Sequence, residues 1–284
     1  MRKYYSIAEK RICIDFPYQF ADCENWHKFE IGECEPHINV VCKVAEKLPG
    51  FDGEWAKGEN DISVLSSGNT IYRSFSMGAL EGAVTAYSKG VSCKAETFLT
   101  ERSHSILMDT RYMWNTIALP QLLLGYGVLM MHASYIEYKG KAILFSAPCG
   151  TGKSTQADLW AKHRGATIVN GDKAAVMVDG GKVFATGLPF CGTSGICLNR
   201  TLPLSAIVLL KQAPVNEVEL LKGVGALQGV LSNIYLDFLA DGEALACAEL
   251  LDKILSDIPV YELRCTPDEG AVEALEKEMY PDLI

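Results

Sequence analysis

Residues 145–155 of this chain read FSAPCGTGKST and combine two glycines, a lysine and four hydroxyl side chains in one short stretch. Gly150 and Gly152 leave room for a phosphate beside backbone N–H groups, because a side chain there would block its approach. Lys153 can reach the β- and γ-phosphates of a nucleotide, and Ser154 can place its hydroxyl on Mg²⁺. The stretch is therefore predicted to hold the phosphates of a nucleotide such as ATP.

The segments around this loop are those that a phosphate site requires. The apolar run KAILF precedes the loop, and a helical pattern follows it from about Lys153 to Lys162, with Gly165 placed to cap the helix. That helix directs the positive end of its dipole toward the phosphates. Ala147 stands where the G-x-x-x-x-G-K-[ST] pattern has its first glycine. The alternative is a chance match at an unrelated helix. The predicted nucleotide-binding residues are Ala147, Pro148, Cys149, Gly150, Thr151, Gly152, Lys153, Ser154 and Thr155.

A carboxylate follows the loop at a spacing that suits phosphoryl transfer. Asp172 comes one predicted helix and one predicted strand, ATIV, after Lys153. In a parallel sheet, the loop and the end of the next strand meet at the same edge. Asp172 is therefore expected to face the phosphates, either as a Mg²⁺ ligand or as the base for an incoming hydroxyl. The alternative is a solvated aspartate in the turn NGDK.

The stretch HASYIEYKGKAILFSAPCGTGKSTQADLWAKHRGATIVNGD resembles the catalytic domain of HPr kinase/phosphorylase and its relatives. These relatives include kinases found beside lasso-peptide precursors and, more distantly, phosphoenolpyruvate carboxykinase. The shared order is a strand with a histidine, a hairpin, the phosphate loop, its helix, a short strand and an acidic turn. The resemblance spans residues 112 to 270, and the segment IPVYELRCTPDEGAVEALEKE resembles a closing strand and helix of such kinases.

The resemblance implies a role for several residues. Lys153 becomes the phosphate ligand, and Ser154 becomes the metal ligand. Asp172 also takes the place of the catalytic aspartate, which in that family accepts the proton of the target serine. His132 matches the active-site histidine of the family, and a hydrogen-bonded core histidine is the alternative.

The sequence also departs from this family. Gly171 stands in the acidic turn, where the family often has a second acid, and no Asp or Glu occurs between Gly180 and Asn216. The absence of a later metal-binding glutamate disfavours HPr kinase itself, and especially a bifunctional phosphorylase. Within the acid-free segment, the loop 192–195 is predicted to lie at the mouth of the nucleotide site. Arg200 is predicted to contact phosphate and neutralise transferring charge, with a surface arginine as the alternative.

The remaining pattern predicts an α/β fold in two parts. Residues 1–110 carry short β-leaning patches between Gly, Pro, Asn and Asp clusters and predict a smaller β-rich N-terminal domain. Residues 111–284 predict a P-loop nucleotide domain of the HPr kinase/phosphoenolpyruvate carboxykinase type, with a mixed sheet and flanking helices. The strands predicted there include VLMMHASYIEY and KAILFSA, which are joined by a turn at Lys139 and Gly140, and LSAIVLL. One predicted helix is WNTIALPQLLLGYGV, which Pro120 could kink or Gly125 could end. The other predicted helices include VNEVELLKGVGALQGVLSNIYLDFLA and GEALACAELLDKILSD.

Composition narrows the class of partner. The net charge of −9 disfavours a general surface for nucleic acid or anionic membrane, and the N-terminus lacks the apolar core of a signal peptide, so a cytoplasmic location is expected. The ten cysteines include no C-x-x-C pair, which predicts free buried thiols. A metal site of Cys23, Cys34 and Cys42 with His27 or His37 is the alternative.

The leading function is ATP- and Mg²⁺-dependent phosphorylation of a hydroxyl, on a serine of a peptide or protein. One alternative is a non-catalytic nucleotide-binding module that acts as a sensor or accessory. Another is a kinase for a small molecule such as free serine. No residue of the sequence identifies the base of the donor, so GTP and pyrophosphate stay open as donors. The sequence also leaves a homo-oligomer open.

Overall fold

The computed structural model describes residues 1–17, 24–59, 61–78, 82–109 and 111–281. The chain divides into two compact units by the contacts between its Cα atoms. The first unit comprises Met1–Val128 and Leu236–Ala248, and the second comprises Leu129–Tyr235 and Glu249–Ile284. The predicted α/β class is confirmed, since both units combine a large sheet with helices. The predicted domain boundary after residue 110 stays a prediction.

The first unit is built on one sheet whose strand order is β3-β1-β2-β4-β9-β8-β7-β6-β5. Its strands are β1 (Arg2–Ile7), β2 (Lys10–Asp15), β3 (Glu30–Ile31), β4 (Ile38–Ala45), β5 (Ala56–Lys57), β6 (Ile62–Ser67), β7 (Thr70–Phe75), β8 (Ala83–Ser88) and β9 (Lys94–Thr100). Its helices are α1 (Glu24–His27), α2 (Glu101–Leu107), α3 (Met113–Thr116) and α4 (Leu119–Leu124). The β-leaning patches of the N-terminal sequence therefore do form strands.

The continuous helix predicted for WNTIALPQLLLGYGV is wrong, although the helical segment does end at Gly125 as predicted. The structure has two short helices there, α3 and α4, and Ala118 between them adopts a left-handed conformation with φ 54° and ψ 38°. Pro120 stands in the first turn of α4, where its missing N–H leaves no hydrogen bond unmade. The proline therefore begins a helix instead of kinking one.

The second unit holds a mixed sheet whose strand order is β11-β10-β13-β14-β15-β17-β16, with further pairings of β12 to β10 and of β11 to β15. The strands are β10 (Val128–Tyr138), β11 (Lys141–Ser146), β12 (Thr167–Asn170), β13 (Lys173–Asp179), β14 (Lys182–Gly187), β15 (Thr201–Gln212), β16 (Glu217–Leu221) and β17 (Val260–Cys265). The helices are α5 (Lys153–Arg164), α6 (Gly223–Leu231), α7 (Glu243–Asp257) and α8 (Glu269–Met279). The division between the units at residue 248 falls within α7.

Local sequence accounts for the part of the sheet that carries the phosphate loop. The predicted β10–β11 hairpin is confirmed, and its turn uses positive φ at both Lys139 (52°) and Gly140 (72°). Helix α5 begins at Lys153, and Gly165 ends it in the left-handed conformation with φ 66°, as predicted. Trp160 of α5 is fully buried and packs against Phe145 of β11, which fixes the helix whose first turn follows the loop.

The helix predicted from Val215 to Ala240 is wrong over its first and last parts, because α6 spans only Gly223–Leu231. Residues Glu217–Leu221 form β16, which pairs antiparallel with β17. Gly223 then adopts a φ of 55° at the start of α6. The sequence is compatible with a helix, but pairing with β17 gives these backbone groups their hydrogen bonds.

No disulfide joins the cysteines that the structure describes. The prediction that they are buried is wrong for Cys93 and Cys149, which are exposed, and for Cys34 and Cys265, which are half-buried. Cys23 lies outside the described residues, and with it part of the alternative metal site. Across the ranges that the structure describes, no group of three or more His, Cys, Asp or Glu could hold a metal ion. None of the described helices has the length and apolar character needed to cross a membrane.

Candidate functional site

Neighbouring strands of the second unit bring their ends to one edge of its sheet. Strands β12, β10, β11, β15 and β17 pair in that order. Strands β11, β15 and β17 run parallel, and β10 runs antiparallel to both β11 and β12. The carboxyl ends of β11 and β12 therefore meet at the same edge, where the phosphate loop follows β11 and Asp172 follows β12. Ligand sites of α/β sheets form at such an edge.

The sequence predicted β11 and β12 as neighbouring parallel strands, but a third strand that carries His132 lies between them. Strands β11 and β12 are not neighbours in a parallel sheet, because the antiparallel strand β10 lies between them. His132 is the fifth residue of β10 and directly precedes the part of the strand that pairs with β11, and its carbonyl oxygen accepts a hydrogen bond from Ser146 Oγ at 2.8 Å. Asp172 lies on the other side, where its carbonyl accepts the N–H of Ala133 at 3.0 Å. The histidine thus lies between the loop and the acidic turn.

Two basic side chains hold the carboxylate of Asp172. His132 Nε2 lies 3.3 Å from Oδ1, and Lys173 Nζ forms an ion pair with Oδ2. Burial raises the pKa of Asp172, but the hydrogen bond with His132 and the charge of Lys173 outweigh it and hold the pKa well below its usual range. The carboxylate is therefore ionised at neutral pH and can accept a hydrogen bond from a hydroxyl or bind a cation.

Asn170 fixes the backbone of the acidic turn. Its Oδ1 accepts the N–H groups of Asp172 and Lys173, each at 2.9 Å. Its Nδ2 donates to the carbonyl oxygens of Leu188 at 2.9 Å and Phe190 at 3.0 Å. Because Asn170 is fully buried, this network orients the carboxylate before any ligand binds.

The phosphate loop adjoins this turn through the start of α5. Lys153 is buried, and its Nζ donates to the carbonyl oxygens of Ala147 at 2.8 Å and Pro148 at 3.3 Å. Burial lowers the pKa of Lys153, and the charge of Asp172 opposes this shift. Ser154 Oγ donates to the carbonyl oxygen of Gly171 at 3.5 Å, so its hydroxyl lies one residue from Asp172.

The loop 192–195 packs directly on the acidic turn, at the edge where it was predicted. A Cβ added at Gly192, whose φ is 56°, would lie 2.8 Å from Asp172 Cγ. A Cβ added at Gly171 would lie 2.5 Å from Ser194 Cβ. Both glycines are therefore required by close approach. The contact with Ser194 also explains why position 171 carries no second acid.

Arg200 does not join this cluster, and its predicted phosphate contact is wrong. Its Nη1 lies 2.6 Å from Glu137 Oε2. Glu137 pairs with Ala142, whereas Ala133, beside His132, pairs with Ser146 at the other end of the hairpin. At ~3.3 Å per strand residue, Glu137 lies ~13 Å along β10 from the edge that carries Lys153. The ion pair keeps Arg200 away from the phosphate loop.

Sequence reasoning missed two residues of the site, Lys173 and Tyr235. Lys173 Nζ lies 5.4 Å from the ring centroid of Tyr235, and that ring lies 5.8 Å from the ring of His132. Burial raises the pKa of Tyr235, so its hydroxyl stays protonated. The turn NGDK contained a signal for Lys173, a base next to the candidate acid. Tyr235 gave no such signal, because it falls in a segment with a helical pattern.

Comparison with known proteins adds little to this geometry. No family model and no curated protein matches the sequence significantly. Among solved structures, the Hpr(Ser) kinase/phosphatase from Coxiella burnetii is similar to the chain with 11% identity and a TM-score of 0.31, over 54% of this chain and 93% of that protein. A likeness this weak shows nothing about the activity of this chain.

Proposed function

We propose that the second unit transfers the γ-phosphoryl group of ATP to a hydroxyl group, with the help of Mg²⁺. The observation that carries this proposal is the position of Asp172, ionised and held by His132 and Lys173 at the sheet edge of the phosphate loop. A protein that only binds a nucleotide needs Lys153 and Ser154 but has no use for an oriented carboxylate beside them. The buried network of Asn170 supports a catalytic purpose for the turn.

Ser154 and Asp172 are the residues that would hold Mg²⁺. A hydroxyl and a carboxylate are hard oxygen donors, and Mg²⁺ commonly takes one or two carboxylates together with substrate phosphates and waters. The hydrogen bond from Ser154 Oγ to Gly171 brings the hydroxyl next to the acidic turn, which fits such a site. A Mg²⁺ ion held by these two residues would supply positive charge that offsets the negative charge of the nucleotide phosphates.

The side chains divide the work of transfer. Asp172 orients the acceptor hydroxyl and takes its proton as the new O–P bond forms and the bond from the γ-phosphorus to the ADP oxygen breaks. His132 holds the carboxylate in place. Lys153 and Lys173 supply the positive charge on the two sides of the transferring group, the role that Arg200 cannot fill.

The acceptor that we propose is a serine of a peptide or protein, as the resemblance of the catalytic segment implies. The test is incubation with γ-labelled ATP, Mg²⁺ and either a serine-containing peptide library or free serine. Label in the peptides, absent with Lys153→Ala, is the expected result. Label in free serine alone would make the protein a small-molecule kinase. ATP binding without transfer to either acceptor would contradict the catalytic proposal and favour a nucleotide-binding accessory.

A further inference from the structure

A cavity of about 390 Å³ lies beside the phosphate loop, on the side away from Asp172. The phosphate loop and the first turns of α5 form one wall, and the residues that end β15 and β17 form the other. The strand order β12-β10-β11-β15-β17 sets this geometry, because the acidic turn follows β12 and the cavity lies at β15 and β17. The lining residues are Gly150, Thr151, Gly152, Thr155, Gln156, Leu210, Gln212, Ala213, Cys265, Thr266 and Pro267.

The chemistry of this wall suits a neutral ring better than an anion. None of the described residues that line the cavity carries a charge. Leu210, Ala213 and Pro267 offer apolar surface, and a few amide and hydroxyl groups are added to it. Small-molecule sites have this composition, mostly apolar with a few placed polar groups, and volumes upward of about 300 Å³. A further phosphate or a free pyrophosphate would find no charged partner there.

One polar group of the wall lacks a partner. Gln156 of α5 is 2% exposed, and its Nε2 donates to Cys265 Sγ at 3.3 Å. Its Oε1 is buried and accepts no hydrogen bond from the part of the chain that the structure describes. A buried carbonyl oxygen without a donor is costly, so such groups are rare unless a water or a ligand completes them. An N–H group on the edge of a planar ring is a suitable donor.

We propose that this cavity binds the base of the phosphate donor, with a ring or amino N–H of the base at Gln156 Oε1. The inference rests on the proposed function, since it places the phosphates of the same nucleotide over residues 150–154. The base then lies toward β15 and β17, and the γ-phosphate lies toward Asp172. The donor is accordingly a nucleoside triphosphate and not pyrophosphate.

The test compares two ligands that share phosphates and differ in the base. Calorimetry of the full chain with Mg²⁺ measures the affinity for ATP and for inorganic tripolyphosphate. The wild type should bind ATP at least about 10-fold more tightly. Gln156→Met, which keeps side-chain length, should weaken ATP binding on the order of 10-fold and leave tripolyphosphate binding unchanged.

A second variant guards against misfolding, because Gln156 is buried. Ala213→Phe fills the cavity from its rim and should also reduce ATP affinity while sparing tripolyphosphate. Val215→Phe is its matched control, since Val215 is exposed, does not line the cavity, and receives the same bulk. This control should bind both ligands like the wild type.

Three outcomes overturn the inference. Equal affinity of the wild type for ATP and tripolyphosphate would show that the base is not bound. Equal losses for both ligands in a folded Gln156→Met or Ala213→Phe protein would show that the cavity acts only through the loop. Binding of neither ligand by the wild type would refute the proposed function itself, and the assignment of the cavity with it.

Discussion

Glu243 in the first unit is expected to make the stability of the folded protein depend on pH. The side chain is buried on α7, and its Oε1 accepts a hydrogen bond from Tyr87 at 3.3 Å. Burial, reinforced by the nearby charge of Asp237, raises the pKa of Glu243 from 4.5 to about 7. At ~1.4 kcal/mol per pKa unit, ionising this carboxyl in the folded state costs roughly 3 kcal/mol.

The direction of the effect follows from proton binding. Between about pH 4.5 and 7 the folded protein holds a proton on Glu243 that the unfolded chain has lost. The free energy of unfolding therefore falls as the pH rises through this window, and the whole penalty is present above pH 7. Glu243→Gln carries no charge in either state, so it removes this dependence and gains up to about 3 kcal/mol above pH 7 relative to its effect near pH 4.5.

The assay is urea unfolding across this pH range, with hydrogen exchange of peptides from the first unit to assign the transition. Glu249→Gln is the matched control, because Glu249 lies on the same helix but is exposed. The control should keep the pH slope of the wild type. The same slope in Glu243→Gln as in the wild type would refute the assignment of this pH dependence to Glu243.

Three further predictions concern the site. Gly171→Ala should cost roughly 1–3 kcal/mol of stability in a thermal melt, since its Cβ would lie 2.5 Å from Ser194 Cβ. Adding Ser194→Gly should restore the lost stability, and a double variant as unstable as Gly171→Ala would contradict the contact. Lys173→Met should slow transfer on the order of 10²-fold in a single-turnover assay, with ATP affinity nearly unchanged, and Lys173→Arg should recover part of the rate. An unchanged rate in Lys173→Met would show that the charge of Lys173 does not assist transfer. Arg200→Ala should leave turnover within about 2-fold of the wild type, because it removes only a half-exposed ion pair with Glu137; a large loss would return Arg200 to the site.

Local signals account for what the sequence predicted well. The hairpin turn at Lys139 and Gly140, the start of α5 at Lys153 and its end at Gly165 depend on neighbouring residues, and the structure has all of them where they were predicted. The shared edge of the phosphate loop and Asp172 was predicted from strand direction. The prediction holds although β10 lies between β11 and β12, because β10 is antiparallel to both and they therefore run in the same direction.

The structural features that the sequence did not predict depend on pairing between residues far apart in the chain. Residues Glu217–Leu221 have a helical pattern, yet β17 takes them as a strand. Arg200 lies in an acid-free segment that covers both ends of the sheet, and composition cannot tell which end faces the loop. Tyr235 lies beside His132 because two backbone hydrogen bonds join its segment to β10, from Tyr235 N–H to the carbonyl oxygen of Met130 at 2.9 Å and from His132 N–H to that of Asn233 at 2.8 Å. Spacing along the chain contains none of this information.

The most direct test of the account is single-turnover phosphoryl transfer by Asp172→Asn at saturating ATP and Mg²⁺, with an acceptor that the wild type phosphorylates. The substitution keeps the shape of the side chain and removes its charge and basicity. Asp179→Asn is the matched control, because it removes an exposed carboxylate at the far end of β13. We expect Asp172→Asn to lower the transfer rate on the order of 10²- to 10⁴-fold and Asp179→Asn to leave the rate unchanged. Transfer by Asp172→Asn at the wild-type rate would contradict the catalytic role of Asp172.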